Sequence, residues 1–324
     1  MIRRFLSDGG RLRAIEGPPE PEEAAVWIDL LTPSPEEEDA VEALVGVNVP
    51  TREEMEEIEI SSRLYNEDGA AFMTALLPAL REDEDDPEMC PVTFVLAGRR
   101  LVTIRYHEPR AFNSFPARAA KTSAGLDDGE AVLIALLEAI VDRLADILER
   151  AGREVDGISR AVFRPKRGVT GADRDFQSLL EQIGRKGDLV SNIRDSLVTL
   201  ERLAGFLAHG TLTRGGEEET RERVRTLARD VGSLAGHAGF LSQKVTFLLD
   251  ATLGMINIEQ NGAIKVLSVA AVAFLPPTLV ASIYGMNFEH MPELGWALGY
   301  PFALGLMVVL AVLPLLYFKR RGWF

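Results

Sequence analysis

The chain has 324 residues, enough for two domains or one elongated domain with an ample core. Its 35 Lys and Arg against 49 Asp and Glu leave a formal charge of −14, which excludes the basic footprint that a nucleic-acid binder needs. A single cysteine, Cys90, excludes an internal disulfide or a cysteine-rich zinc site and fits a reducing compartment. The charge is unevenly spread. From Lys265 to Phe324 the acidic residues are Glu289 and Glu293, and the basic ones Lys265, Lys319, Arg320 and Arg321. Residues 1–264 hold the other 31 of 35 basic and 47 of 49 acidic side chains, a formal −16. The opening residues, Met1 to Asp8, contain no apolar signal-type run, so this acidic body is expected in the cytosol.

In chain order, residues 1–105 read as short strands and helices. Strands are expected at Ile2–Leu6, Arg11–Ile15, Ala25–Leu30, Ala71–Leu80, Val92–Leu96 and Leu101–Arg105. Ser34 followed by Pro35 starts a helix through Val45, and Thr51-Arg52-Glu53-Glu54 has the spacing of a capping box before another. This is an α/β domain, taken as residues 1–125. From about Asp128 the pattern turns helical, with Val132, Leu133, Leu136, Leu137, Ile140, Leu144 and Leu148 on one face. Breaks at Gly168–Gly171 and His209–Gly216 predict helices near 128–163, 172–208 and 217–284. Residues 126–264 are thus a helical stalk, and the last helix is expected to run on without interruption into residues 265–324.

Two uncharged runs follow: Val266 to Phe288, 23 residues, and Leu294 to Phe318, 25 residues. Each exceeds the roughly 20 residues needed to cross a ~30 Å hydrocarbon layer. Basic residues flank the pair on one side and the acidic connector 288–294 lies on the other, so both termini are expected in the cytoplasm. Trp296, Tyr300, Tyr317 and Trp323 stand where interfacial aromatics belong. Two spans cannot enclose an aqueous path, so conduction requires several copies around an axis. Along the first span, Asn261, Ile264, Ser268, Ala271, Leu275, Thr278, Ser282 and Gly285 form one stripe at a 3.5-residue period, readable as a pore lining or as a packed helix interface. Pro276-Pro277 removes two backbone donors mid-span, tolerable only where neighbouring helices or water serve the freed carbonyls.

At Tyr284-Gly285-Met286-Asn287 the sequence resembles the Gly-Met-Asn signature of the CorA family of divalent-cation channels, at the outer end of the first of two C-terminal spans. The following Met291-Pro292-Glu293-Leu294, the upstream 256–261 and 274–282, the closing 317–323 and Val26-Trp27-Ile28-Asp29-Leu30 are similar to the same family. Gly262, after Asn261, departs from the larger side chain expected there and costs a helix about 1 kcal/mol relative to Ala.

The resemblance implies an α+β membrane protein: a cytosolic α/β domain, a funnel of long helices and two transmembrane helices, assembled as a homopentamer in the inner membrane. Gly285, Met286 and Asn287 would form the selectivity filter, with the loop carboxylates Glu289 and Glu293 outside it. Leu267 would join Ile264 and Leu275 as apolar constrictions, Thr278 and Ser282 would offer oxygens, and Asn261 would form an inner polar ring. Asn also caps helix C-termini well, a role for Asn287 that is compatible with the filter. The implied cargo is Mg²⁺, with Co²⁺ and Ni²⁺ admitted, and the implied partners are further copies of the chain and membrane lipid. A regulatory Mg²⁺ site is implied at Glu67-Asp68 with Asp230 of a neighbouring helix; the same acidic pair also reads as a hairpin turn before Gly69. The run Glu82–Asp86 reads as a solvated loop. The four histidines have no zinc spacing, and no phosphate loop or paired acid/base motif is present, so neither nucleotide nor enzymatic turnover is expected. Two other readings stay open: a Zn²⁺ transporter of the related ZntB branch, and a membrane-anchored oligomeric scaffold without conduction.

Overall fold

The computed structural model describes residues 1–15, 25–78, 89–164, 175–213, 218–286 and 291–323. The acidic run Glu82–Asp86 and the break at 168–171 lie outside the described residues. By packing, the chain divides into two units: Met1–Pro165 with Gln177–Leu249, and Lys166–Phe176 with Asp250–Phe324.

The first unit holds a mixed seven-stranded sheet of β1 (Ile2–Asp8), β2 (Arg11–Ile15), β3 (Ala25–Leu31), β4 (Leu64–Glu67), β5 (Ala70–Pro78), β6 (Met89–Ala97) and β7 (Arg100–Arg105). Its order is β2-β1-β3-β7-β6-β5-β4, and only β3 and β7 run parallel. Strand alternation sends Trp27, Met73, Phe94 and Leu101 to one core, and Ile28, Phe72, Val95 and Val102 to another on the opposite face. Helices α1 (Pro35–Val45) and α2 (Arg52–Glu56) start where expected and each opens on a capping box, the one at Thr51 expected and the one at Ser34 with Glu37 found in the structure; their Val41 and Met55 complete the second core. A short α3 (Ile60–Arg63) leads into β4.

The first core is covered by α4 (Ala111–Ala119) and α5 (Gly129–Phe163), followed by α6 (Phe176–Thr213) and α7 (Glu218–Tyr284). The apolar stripe of α5 is buried along its length, from Val132 to Val162. Ser196 and Thr199 of α6 bind both backbone groups of Leu76, at 2.6 and 3.0 Å, on the stretch of β5 that β4 is too short to pair. α6 does not break at His209 but continues through Gly210 to Thr213, because one glycine weakens a helix by about 1 kcal/mol without ending it. Neither β4 nor α4 is expected from local sequence pattern. The first is four residues long, and the second carries Pro116 inside it, which leaves the Phe112 carbonyl free to accept from Arg3 at 3.4 Å.

The charge at the centre of this sheet is fully enclosed. Asp29 on β3 and Arg105 on β7 are both 0% exposed, brought together by the parallel register that sets Asp29 beside Thr103. Arg105 donates through Nε and Nη2 to the carboxylate at 2.9 and 2.8 Å, Arg3 donates at 2.9 and 2.6 Å, and the Thr103 hydroxyl donates at 2.8 Å. Thr103 in turn accepts from the Trp27 indole at 3.0 Å, and the Arg105 guanidinium lies over the Phe112 ring. Two residues on, both ring nitrogens of His107 are buried without a hydrogen-bond partner among the described residues. Burial, helped by the neighbouring Arg105 charge, pushes its pKa down to about 4, and the Leu77 backbone, outside hydrogen-bond geometry, offsets this only in part.

Asp29→Asn strands a buried guanidinium and is expected to cost about 3–5 kcal/mol, on the order of 10 °C in the Tm of the full-length protein. Arg3→Gln, at a site one-quarter exposed, should cost about 1 kcal/mol or less. Equal Tm values for the two variants would contradict the ranking. Because the folded His107 binds its proton more weakly than the unfolded one, its contribution is complete above about pH 6.5 and lost as pH falls towards 4. His107→Asn should therefore flatten the fall of Tm across that window; an unchanged slope would place the titration elsewhere.

Candidate functional site

The second unit contains the C-terminal part of α7 and α8 (Gly299–Arg320); among the described residues these are the two helices long and apolar enough to cross a membrane. At 22 residues, α8 is about 33 Å long, the thickness of the hydrocarbon layer. A 3₁₀ turn, Pro292–Gly295, precedes it, and the Trp296 carbonyl accepts from Gly299 at 2.9 Å to start the helix.

The two helices lose exposure along complementary faces. On α7 these residues are Val269 and Ala273, with Pro276, Val280 and Tyr284 half-buried; on α8 they are Gly299 and Ala303, with Leu310, Pro314 and Phe318 half-buried. The short connector joins the end of α7 to the start of α8, and at the opposite end the Lys265 ammonium lies 5.9 Å over the Trp323 ring, so the helices pair antiparallel. At about 100° per residue, the mean direction of Ile264, Ser268, Ala271, Leu275, Thr278 and Ser282 lies about 160° from the face that meets α8. Leu267, Ala271, Leu275, Thr278 and Ser282 are exposed in the single chain, Leu275 by 66%, and Ser268 is half-buried. Asn261 and Ile264 are also exposed. The stripe singled out from the sequence is thus the face that α8 leaves open.

Thr278 donates its hydroxyl proton to the Phe274 carbonyl at 2.7 Å, so its oxygen offers only lone pairs to anything beyond the helix. α7 ends at Tyr284, where Gly285 donates to the Ala281 carbonyl at 3.0 Å and Met286 to that of Ile283 at 3.2 Å. A Cβ on Gly285 would stand 3.1 Å from the Ala281 oxygen, tighter than ordinary contact. Gly285 and Met286 are exposed. Asn287 and Glu289 lie outside the described residues; Glu293 is in the 3₁₀ turn.

The acidic trio is not gathered within one chain. Glu67 ends β4 and Asp68-Gly69 forms the turn to β5, both with positive φ (48° and 80°), so the hairpin reading holds as local geometry. Asp230 is exposed on α7, beside a cleft lined by Glu138, Asp142, Glu222 and Arg223, with Arg223 donating to both Glu138 oxygens at 3.1 and 2.8 Å. Among the described residues no three His, Cys, Asp or Glu side chains could hold a metal together.

The sequence profile of the CorA-like Mg²⁺ transporter proteins matches residues 22–320. The chain belongs to the CorA family. It is 36% identical over 326 aligned residues to the magnesium transport protein CorA of Escherichia coli, covering all of both chains. Its fold matches the complete CorA magnesium transporter structure from Methanocaldococcus jannaschii with a TM-score of 0.79, covering 100% of this chain and 99% of that one at 20% identity. The ZntB cytoplasmic domain from Vibrio parahaemolyticus matches with a TM-score of 0.57 at 12% identity, over 79% of this chain and 97% of that one. The CorA family is a transporter family, and two apolar C-terminal helices are where this member carries its membrane spans.

In a Cys90→Ser background in membranes, a water-soluble thiol reagent should modify Ser282→Cys and Thr278→Cys but not Ala273→Cys. Modification of Ala273→Cys alone would reverse the assignment of faces.

Proposed function

We propose that this CorA-family protein is a homopentameric channel for Mg²⁺ influx, admitting Co²⁺ and Ni²⁺ as lesser cargo. The observation that carries this reading is the open stripe on α7, opposite α8: a helix in lipid gains nothing by exposing Asn261, Ser268, Thr278 and Ser282 to hydrocarbon. Five such helices turned inward would line an axis with alternating oxygens and apolar rings. The naming of the full-length E. coli relative as a magnesium transport protein supports the cargo.

In this arrangement Asn287 and the Gly285 carbonyl, with Met286 between them, form the outer filter, and Glu289 and Glu293 draw cations to it. Mg²⁺ sheds its waters reluctantly, so neutral oxygens that accept from the hydrated ion select it without trapping it. Thr278 and Ser282 extend that acceptor path, Leu275, Leu267 and Ile264 close it by dewetting, and Asn261 lines the inner mouth, with Ser268 and Ala271 between. Residues 1–125 serve as the cytosolic domain, 126–264 as the stalk and 265–324 as the membrane part, in the inner membrane with both termini cytoplasmic. The driving force is the membrane potential, worth about 4.6 kcal/mol per 100 mV for a divalent ion. Cytosolic Mg²⁺ between subunits, at Glu67, Asp68 and the neighbour's Asp230, offsets repulsion among bodies of charge −16 and holds the pore shut. Neither alternative, Zn²⁺ cargo or a scaffold without conduction, has an observation of its own; the zinc reading has only a shared fold.

Purified protein in liposomes with an inside-negative potential should admit Mg²⁺, and less of it as internal Mg²⁺ rises. Asn287→Ala should abolish influx with the oligomer intact. Normal influx by that variant would remove the filter assignment, and Zn²⁺ flux without Mg²⁺ flux would replace the cargo.

A further inference from the structure

The inner end of the α7–α8 pair is built in more detail than a helix end needs. Past Arg320 the chain closes in a Schellman motif: Gly322 takes the left-handed conformation (φ 69°), Trp323 donates to the Phe318 carbonyl at 3.1 Å, and Gly322 donates to that of Lys319 at 3.2 Å. The motif folds Trp323 back onto Phe318, ring centroids 4.8 Å apart. Two cations are then held by aromatic faces, Lys265 over Trp323 at 5.9 Å and Arg321 over Tyr317 at 5.6 Å. Lys319 and Arg320 complete the group, and among the described residues none of the four is in an ion pair. Elsewhere in the chain, basic side chains commonly meet carboxylates, as Lys186 meets Glu154 at 2.7 Å and Arg223 meets Glu138 at 2.8 Å.

Helix-dipole compensation and membrane orientation need only cations in the last turn, which Lys319 and Arg320 supply. They do not need Lys265 and Arg321 fixed by rings at one level of the bilayer. We propose that Lys265, Arg321 and Trp323 form a site for the headgroup phosphate of an anionic phospholipid at the inner membrane face. The rings pin the two cations without neutralising them, so their charge is left for a phosphate oxygen, and the indole sits at headgroup depth. The proposal rests on α7 and α8 crossing the bilayer.

The test is fluorescence quenching of full-length protein in vesicles of phosphatidylcholine and phosphatidylglycerol, with one or the other brominated at equal mole fraction. The Trp323 signal is the difference between the wild type and Trp323→Phe, and Trp296, near the other end of α8, is read as the quenchable part of Trp323→Phe, since the remaining Trp27 is fully buried in the first unit. Brominated phosphatidylglycerol should quench Trp323 more than brominated phosphatidylcholine by roughly the fivefold enrichment that one interfacial cation produces, whereas Trp296 shows no preference. Lys265→Gln with Arg321→Gln should lower the ratio for Trp323 several-fold, to the level that Lys319 and Arg320 alone maintain. Equal quenching by the two lipids in the wild type, or a preference that the double substitution leaves undiminished, overturns the site while leaving the membrane spans intact. No quenching of either tryptophan by either lipid overturns the spans as well. Loss of the preference when inorganic phosphate is added shows a site for the free anion and overturns the lipid assignment.

Discussion

Within one chain, helix α7 can satisfy only half of itself. α8 covers Val269 and Ala273, and the opposite face is left with hydroxyls, an amide and single apolar side chains. In water this would be an ordinary exposed surface. In hydrocarbon there is no hydrophobic force to gather helices, and polar groups facing lipid are costly, so the open face requires other copies of the helix or a column of water. Pro276 and Pro277 sharpen the constraint, because the carbonyls of Val272 and Ala273 lose their helical donors. Association is thus a condition of stability for this segment before it is a condition of transport.

The first unit solves a related problem by opposite means. Its net charge is strongly negative, yet its buried ionic cluster has one carboxylate between two guanidiniums, Asp29 between Arg105 and Arg3. Taking a carboxylate and a guanidinium out of water costs several kcal/mol each, which their mutual attraction repays only with every lone pair engaged. Asp29 meets that condition, accepting from two arginines and Thr103. The only parallel pairing in the sheet, β3 with β7, sets these groups side by side, so the cluster ties the register of the central strands to the N-terminal strand and to α4.

Much of this was legible in the sequence. The Ser34-Pro35 helix start, the capping box at Thr51, the apolar stripe of α5 and the long uncharged runs are local patterns, and the elements formed where they stand. The stripe on α7 was legible for the same reason: a 3.5-residue period fixes a direction around a helix, although only the structure shows that α8 occupies the reverse direction. What escaped was non-local. β4 is recognisable only from its pairing with β5, the Leu76 backbone only from the two hydroxyls of α6 that meet it, and the Lys265–Trp323 contact only once two residues 58 positions apart are brought together. Gly322 after three basic residues was the one local sign of that last arrangement. The acidic pair at Glu67-Asp68 illustrates the reverse limit, since a turn and an intersubunit metal site ask for the same residues.

The chemistry of the proposed pore follows from how its oxygens are already engaged. A hydroxyl facing a hydrated cation can present either its proton or its lone pairs, and presenting the proton to the outward-facing hydrogens of bound water would repel them. Thr278 has that choice removed, because its proton is committed to the Phe274 carbonyl. Amide and carbonyl oxygens at Asn287 and Gly285 accept in the same sense, so a path built from them meets the hydration shell of Mg²⁺ with acceptors throughout. None carries a full charge, which keeps each site shallow enough to leave, and a divalent ion moved by a potential needs a sequence of shallow sites more than one deep one. The carboxylates of this chain stand outside the spans, where they can raise the local cation concentration without holding any ion in the path.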